Sequence, residues 1–266
     1  MNRPILLRIA PPRIRTTLYY RVYRSQRDKW RQLYNEASLH FTPHVRLNLW
    51  PTDEGHSNIA FTGFYELHLT KRLRKHARQG GLMIDVGANY GYFSLSWAAT
   101  SSRNRVMAFE ASPRNCTALR KNVSLNGFDP QIEILEMALG KDAGMLPFTL
   151  GAEEQTGWGG FSNSATETTV RVPVVTLDSR VPQHERVEVL KIDVEGADTW
   201  VLYGAQKLLE TKRIKHVYFE QNKERMKPLG IRDSEAADFL LKVGYTVNPL
   251  NDPDSELVEY YATLKA

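Results

Sequence analysis

Residues 82–95, Leu-Met-Ile-Asp-Val-Gly-Ala-Asn-Tyr-Gly-Tyr-Phe-Ser-Leu, leave this chain few folds to choose from. An apolar run too short for a helix meets two glycines four apart, Gly87 and Gly91, and an amphipathic pattern follows. That order reads as a buried strand, a tight turn and a helix start. Gly87 lets the backbone turn and approach a ligand, and Gly91 leaves room beside strand or ligand. The free N–H groups that open the helix face whatever negative group sits in the turn. From Leu82 onward strands and helices alternate, the pattern of a parallel sheet covered on both faces.

The ligand class follows from what surrounds the turn. Gly-x-x-x-Gly with Asn89 inside it is not the G-x-G-x-x-G of a dinucleotide site, and Asp85 disfavours a pyrophosphate while favouring an ammonium. A second strand, 106–110, ends in Glu110, placed to accept both hydroxyls of a ribose. A ribose, an amino group and a carboxylate without phosphate describe S-adenosylmethionine. Taken singly, Asp85 reads equally as a helix-capping acid and Glu110 as a solvated strand end; their joint spacing favours the ligand. The strand 131–136 brings Glu136 and Ala138 to the sheet edge where the adenine would lie, with an exposed strand-end acid as the alternative for Glu136. Strand 187–192 ends in Asp193-Val194-Glu195-Gly196, two carboxylates beside a glycine and suited to chemistry next to a sulfonium. Strand 214–219 ends in Glu220.

At Asp85-Val86-Gly87-Ala88-Asn89-Tyr90-Gly91, Phe109-Glu110-Ala111-Ser112-Pro113-Arg114-Asn115 and Leu190-Lys191-Ile192-Asp193-Val194-Glu195-Gly196-Ala197-Asp198, the chain resembles the FkbM family of S-adenosylmethionine-dependent methyltransferases. The resemblance covers residues 63–244, and Asn89 stands where class I methyltransferases usually carry glycine. It implies a Rossmann-like class I fold: an α/β, mostly parallel seven-stranded sheet with helices on both faces and an antiparallel pair of strands at its edge. It also implies O-methylation, often of a sugar in a glycolipid, polysaccharide or natural product. Asp85, Gly87, Ala88, Asn89, Gly91, Glu110, Ala111, Glu136, Ala138 and Asp193 are then the expected cofactor positions, and Asp193, Glu195 and Glu220 the expected catalytic acids. A glutamate matching Glu66 belongs to the resemblance and points to the methionine end of the cofactor; a surface helix acid is its alternative. The rivals are a nicotinamide-dependent oxidoreductase, which would need a third glycine and no Asp85, and a cofactor-binding module without catalysis.

With 266 residues, 42% of them apolar, the chain can bury one large core. The expected division is a basic helical arm, 1–62, and a methyltransferase domain, 63–266. Nine Lys/Arg stand against the single acid Asp28 in residues 1–31, a balance of +8, so the remainder sums to −3 of the chain's +5. A catalytic part that is not basic argues against a nucleic-acid substrate and for a small-molecule or glycan acceptor; any contact with an anionic membrane surface falls to the arm. Tyr19, Tyr23, Trp30 and Tyr34 at helical spacing among arginines predict an amphipathic helix over 17–35, either packed on the domain or laid on a membrane. No apolar run approaches the ~18 residues of a membrane span, and Ile5-Leu6-Leu7 is too short for a signal-peptide core, so a cytoplasmic location is expected. Cys116 is the only cysteine. Pro43 between His40 and His44 breaks the helix that a metal pair would need, and no metal is expected. The loop 153–169 carries Trp158 and Phe161, which suit stacking on a sugar ring or tucking the loop onto the domain.

Overall fold

The computed structural model describes residues 3–161 and 168–265. Its central sheet comprises β1 (Gly81–Val86), β2 (Asn104–Glu110), β3 (Ile132–Glu136), β4 (Val187–Ile192), β5 (Ile214–Asn222), β6 (Tyr245–Pro249) and β7 (Leu257–Leu264). They lie in the order β6-β7-β5-β4-β1-β2-β3. Strands β1 to β5 are parallel, and β7 runs antiparallel to both β5 and β6. This is the Rossmann-like arrangement the sequence implies. The chain moves outward from β1 through β2 to β3, then begins β4 on the other side of β1. A crevice therefore opens at the carboxyl ends of β1 and β4, where the winding reverses.

The strands read as continuous apolar runs because both faces of the sheet are covered. Leu82, Ile84 and Val86 join Phe109, Leu190 and Ile192 on one side. Met83 joins Val106, Ala108 and Val189 on the other. Asp85 and Lys191, each the penultimate residue of its strand, are register partners across β1 and β4.

The helices that cover the second face are α1 (Ile5–Ile9), α2 (Pro12–Leu18), α3 (Glu54–Thr62), α4 (Leu67–Ala77), α5 (Tyr92–Ala98) and α6 (Pro113–Leu125). The start of α6 follows the sequence: Ser112 Oγ accepts from Asn115 N at 3.4 Å, and Pro113 takes the first position. Helix α3 was not anticipated. Asp53 caps it by accepting from His56 N at 2.9 Å, and Gly63, with φ +87°, ends it. After β4 the chain winds two short helices, Asp198–Gly204 and Gln206–Glu210, broken at Ala205.

The arm also departs from its expected single helix. After α2 come a π-helical turn, Tyr19–Tyr23, and a 3₁₀ segment, Arg24–Tyr34, kinked at Trp30. Packing rather than propensity sets this winding. Tyr19, Tyr23 and Tyr34 gather around Phe61, with ring centroids 5.1, 6.1 and 6.4 Å away. Leu7, Tyr19, Leu47 and Phe61 continue the same buried cluster as Met83, Leu95 and Val106, so the arm shares the domain's core. A small second sheet, in the order Ala138–Leu139, Thr169–Val175, Gly144–Thr149, Gly160–Phe161, carries the insertion between β3 and β4. Part of the loop expected over 153–169, residues 162–167, lies outside the described residues. No helix among the described residues is long and apolar enough to cross a membrane.

Candidate active site

A cavity of about 400 Å³ fills the crevice. Its floor is the turn after β1. A Cβ on Gly87 would lie 1.9 Å from the Asp193 carbonyl oxygen, and φ there is +73°, so only glycine fits. Gly87 N and Ala88 N both donate to Phe109 O, at 2.9 and 3.0 Å, which fixes the turn to β2. Glu110 does more than end a strand: its Oε2 accepts from Asn89 N and its Oε1 from Ser112 N, both at 2.8 Å. It thereby holds the turn and the start of α6 together while bordering the cavity.

Gly87, Ala88, Asn89, Glu110, Ala111, Ala138, Asp193, Glu195, Glu220 and Glu66 all line this cavity, as the sequence places them. Three expected cofactor positions stand outside its wall. Asp85 points beneath the floor, where its Oδ2 accepts from Ser94 Oγ at 2.6 Å and its Oδ1 lies 3.2 Å from Lys191 Nζ. Gly91 serves packing instead, because a Cβ there would meet Leu119 and Leu95 at 2.5 Å. Glu136 turns outward to Arg120, 2.8 Å away, and its neighbours Met137 and Ala138 line the cavity in its place.

Sequence reasoning missed Lys191, as it missed Asp53, His56 and Tyr20 on the cavity wall. Lys191 Nζ, buried, lies 3.2 Å from Asp85 Oδ1 and 3.3 Å from Asp193 Oδ2, and donates to Gly87 O at 3.1 Å. Burial alone would lower its pKa, but the charges of Asp85, Asp193 and Glu66 outweigh it and hold the lysine protonated. The signal was a lone cation inside the apolar strand Val187–Ile192. Around it the carboxyls are crowded. Burial, then the charge of Asp193, raises Glu66 to about 8, Glu195 to about 7 and Glu220 to about 10. Asp198, raised to about 7 by burial, accepts from Glu220 N at 2.9 Å.

These raised pKa values set a pH dependence. Between about pH 5 and pH 8 the unfolded chain has released protons that Glu66 and Glu195 keep in the folded chain, so stability present at low pH is lost as pH rises through that window. The ligand-free protein should lose on the order of 1–3 kcal/mol across it. Urea midpoints measured at both ends, for the protein and for Glu66→Gln, check this: the variant should show the smaller drop.

Two buried polar atoms on lining residues, Asn89 Oδ1 and Asn115 Oδ1, have no hydrogen-bond partner among the described residues. Such atoms call for a ligand or water, and the crowded carboxyls call for positive charge. The cavity therefore fits S-adenosylmethionine, which is polar at its nucleoside end and carries ammonium and sulfonium charges at the other. Among the described residues, three of the five non-glycine residues with positive φ, Glu66 at +37°, Asn89 at +50° and Glu195 at +54°, border this cavity, so the strain gathers where the ligand would sit.

The arm and the insertion close the other side. Asp53 Oδ2 accepts from both Thr156 N and Thr156 Oγ1 at 2.8 Å, and Asn115 Nδ2 donates to Thr156 O at 3.2 Å. His56 lines the cavity from α3, its ring centroid 3.9 Å from that of Tyr90. Burial pushes its pKa down to about 4, and its neutral Nδ1 accepts from Trp50 N at 3.1 Å. Trp158 lines the opening with Arg225 5.5 Å above its ring, and Arg225 Nε lies 3.2 Å from Glu195 Oε2. Phe161 lines the cavity while packing 5.8 Å from Trp200.

Methyltransferase sdnD of Sordaria araneosa is 28% identical to this chain over 160 residues, 46% of this chain and 59% of that protein. Methyltransferase 1 of Beauveria bassiana is 28% identical over 143 residues, 46% of this chain and 57% of that protein. The AMB antimetabolite synthetase AmbE of Pseudomonas aeruginosa is 26% identical over 218 residues, 68% of this chain but 10% of that protein. The chain thus spans less than two thirds of the length of each. Among solved structures, the O-methyltransferase from Bacillus cereus aligns with a TM-score of 0.43 at 12% identity, covering 76% of this chain and 83% of that one. The family model described as the methyltransferase FkbM domain matches residues 85–247, which takes in the glycine turn, Glu110 and the Asp193–Glu195 pair. On that match, over more than half its length, the chain belongs to the FkbM methyltransferase family.

Proposed function

We propose that this protein transfers the methyl group of S-adenosylmethionine to a hydroxyl oxygen of a sugar-bearing acceptor, such as a glycan, a glycolipid or a glycosylated natural product. The observation that carries this reading is the contact between the Gly87 turn and the Asp193 backbone, which seats a carboxylate beside the cofactor cradle. When bound, S-adenosylmethionine supplies a methyl group on a positively charged sulfur, which the acceptor oxygen displaces in line.

The chain's own residues align the acceptor and take its proton. Asp193 Oδ2 lies 3.3 Å from Lys191, while Oδ1 has no partner among the described residues and faces the acceptor as base. Glu220, which keeps its proton at neutral pH in the ligand-free site, can donate as well as accept toward a hydroxylated ligand. Tyr65, Phe93, Trp158 and Phe161 supply ring faces in the same cavity, the usual wall for a sugar. Glu110 accepts from the ribose on the lone pairs that Asn89 and Ser112 leave open.

Calorimetry with S-adenosylmethionine and with NAD tests the cofactor. Binding of the first alone is expected, and Glu110→Ala should weaken it by about 1–3 kcal/mol. Binding of NAD, or indifference to Glu110→Ala, would overturn the reading in favour of the oxidoreductase. Mass spectrometry of glycans from cells with and without the protein, sought for a difference of one methyl group, tests the acceptor.

A further inference from the structure

Methyl transfer gives no reason for the surface presented by residues 5–22. Six of the eleven large apolar side chains exposed among the described residues fall there: Ile5, Leu6, Ile9, Ile14, Tyr20 and Val22. Scattered exposed apolar side chains are ordinary, but their concentration in one short segment of the chain calls for a reason. In α1 the helical turn puts Ile5, Leu6 and Ile9 on one face, while Leu7, fully buried, anchors the helix from the opposite side. The outward face thus remains apolar although the helix is firmly seated.

Charge selects what covers it. Arg24 and Arg27 are engaged by Glu54, Arg31 by Asp28, and Arg15 is buried. Arg8, Arg13, Arg21 and Lys29 are exposed and form no ion pair among the described residues. Arg8 flanks the apolar face of α1, and Arg13 adjoins Ile14. A nucleic acid would satisfy these cations but leave the isoleucines in water. A second copy meeting this face with its own would set arginine against arginine.

We propose that α1, α2 and the turn after them dock on an anionic lipid bilayer. Ile5, Leu6, Ile9 and Ile14 enter the interface, and Arg8, Arg13 and Arg21 meet the headgroups. Tyr20 belongs to this surface and also lines the cavity, so the opening of the site adjoins the membrane. On the proposed methyl transfer, the acceptor is then a glycolipid presented from that bilayer; the docking itself does not depend on that reading.

Cosedimentation of the full chain with vesicles of phosphatidylcholine, and of phosphatidylcholine with phosphatidylserine, is the test. Binding is expected only to the second kind, and should collapse as salt rises from about 0.1 M to about 1 M, where screening shortens from about 10 Å to about 3 Å. Ile5→Ser with Ile9→Ser, both exposed positions, should weaken binding at least about ten-fold. Arg8→Glu with Arg13→Glu should do the same, each cation near an anionic surface being worth about five-fold. Unchanged thermal midpoints and unchanged calorimetric binding of S-adenosylmethionine show that fold and site are intact in the variants. Equal binding to both vesicles, no binding, or variants that bind like the parent would overturn the proposal. Self-association lost in the same variants, without lipid binding, would assign the face to a second copy.

Discussion

Replacing Lys191 with Met should lower the unfolding free energy by about 3–5 kcal/mol, because it strands charge where water does not reach. Asp85 is fully buried, and without the ammonium its carboxylate keeps only the Ser94 hydroxyl, 2.6 Å away. The Gly87 carbonyl loses its donor as well, so the floor of the cavity loosens together with the core. Urea denaturation measures the loss. Adding Asp85→Asn to the Lys191→Met protein should recover a large part of it, since the neutral amide no longer needs a counter-charge. A loss below about 1 kcal/mol would mean that Asp85 takes its proton, or finds water, at little cost.

The second large effect is on turnover. Asp193→Asn should reduce kcat by ~10²–10⁴, the usual contribution of a positioned base, with the affinity for S-adenosylmethionine changed far less. Glu195→Gln should cost less, since its carboxylate is committed to Arg225 at 3.2 Å. Single-turnover rates for both variants, with calorimetric affinities alongside, separate the roles. The opposite ranking would move the base to Glu195, whose pKa, raised by burial to about 7, also suits proton transfer near neutrality.

The sheet was legible because its strands are buried on both faces, and such strands declare themselves as short apolar runs broken by glycine and acid. β4 was read residue for residue, whereas the antiparallel pair β6 and β7 was expected as an edge pair implied by the family resemblance. The roles of Asp85, Gly91 and Glu136 could not be read in the same way. Each sits one or two residues from a true lining position, and period-2 alternation in a strand, or the start of a helix, turns a neighbour away from the ligand. Lys191 escaped because its meaning lies in the register of β4 against β1, which no single stretch of sequence records. The contributions of Asp53, His56 and Tyr20 were hidden for a related reason: they depend on how the arm folds back, and its winding is set by the rings around Phe61.

The contact between Gly87 and the Asp193 carbonyl leaves no slack between the two loops that form the reaction centre. A ligand pressing on one loop necessarily displaces the other. On the proposed methyl transfer, the spacing between methyl donor and acid then depends on how the two loops fold together rather than on either loop alone. On the proposed transfer to a sugar hydroxyl, an acceptor whose hydroxyl sits a bond length out of place would be poorly served, and discrimination is expected to be sharper among positions on one sugar than among different sugars offering the same hydroxyl.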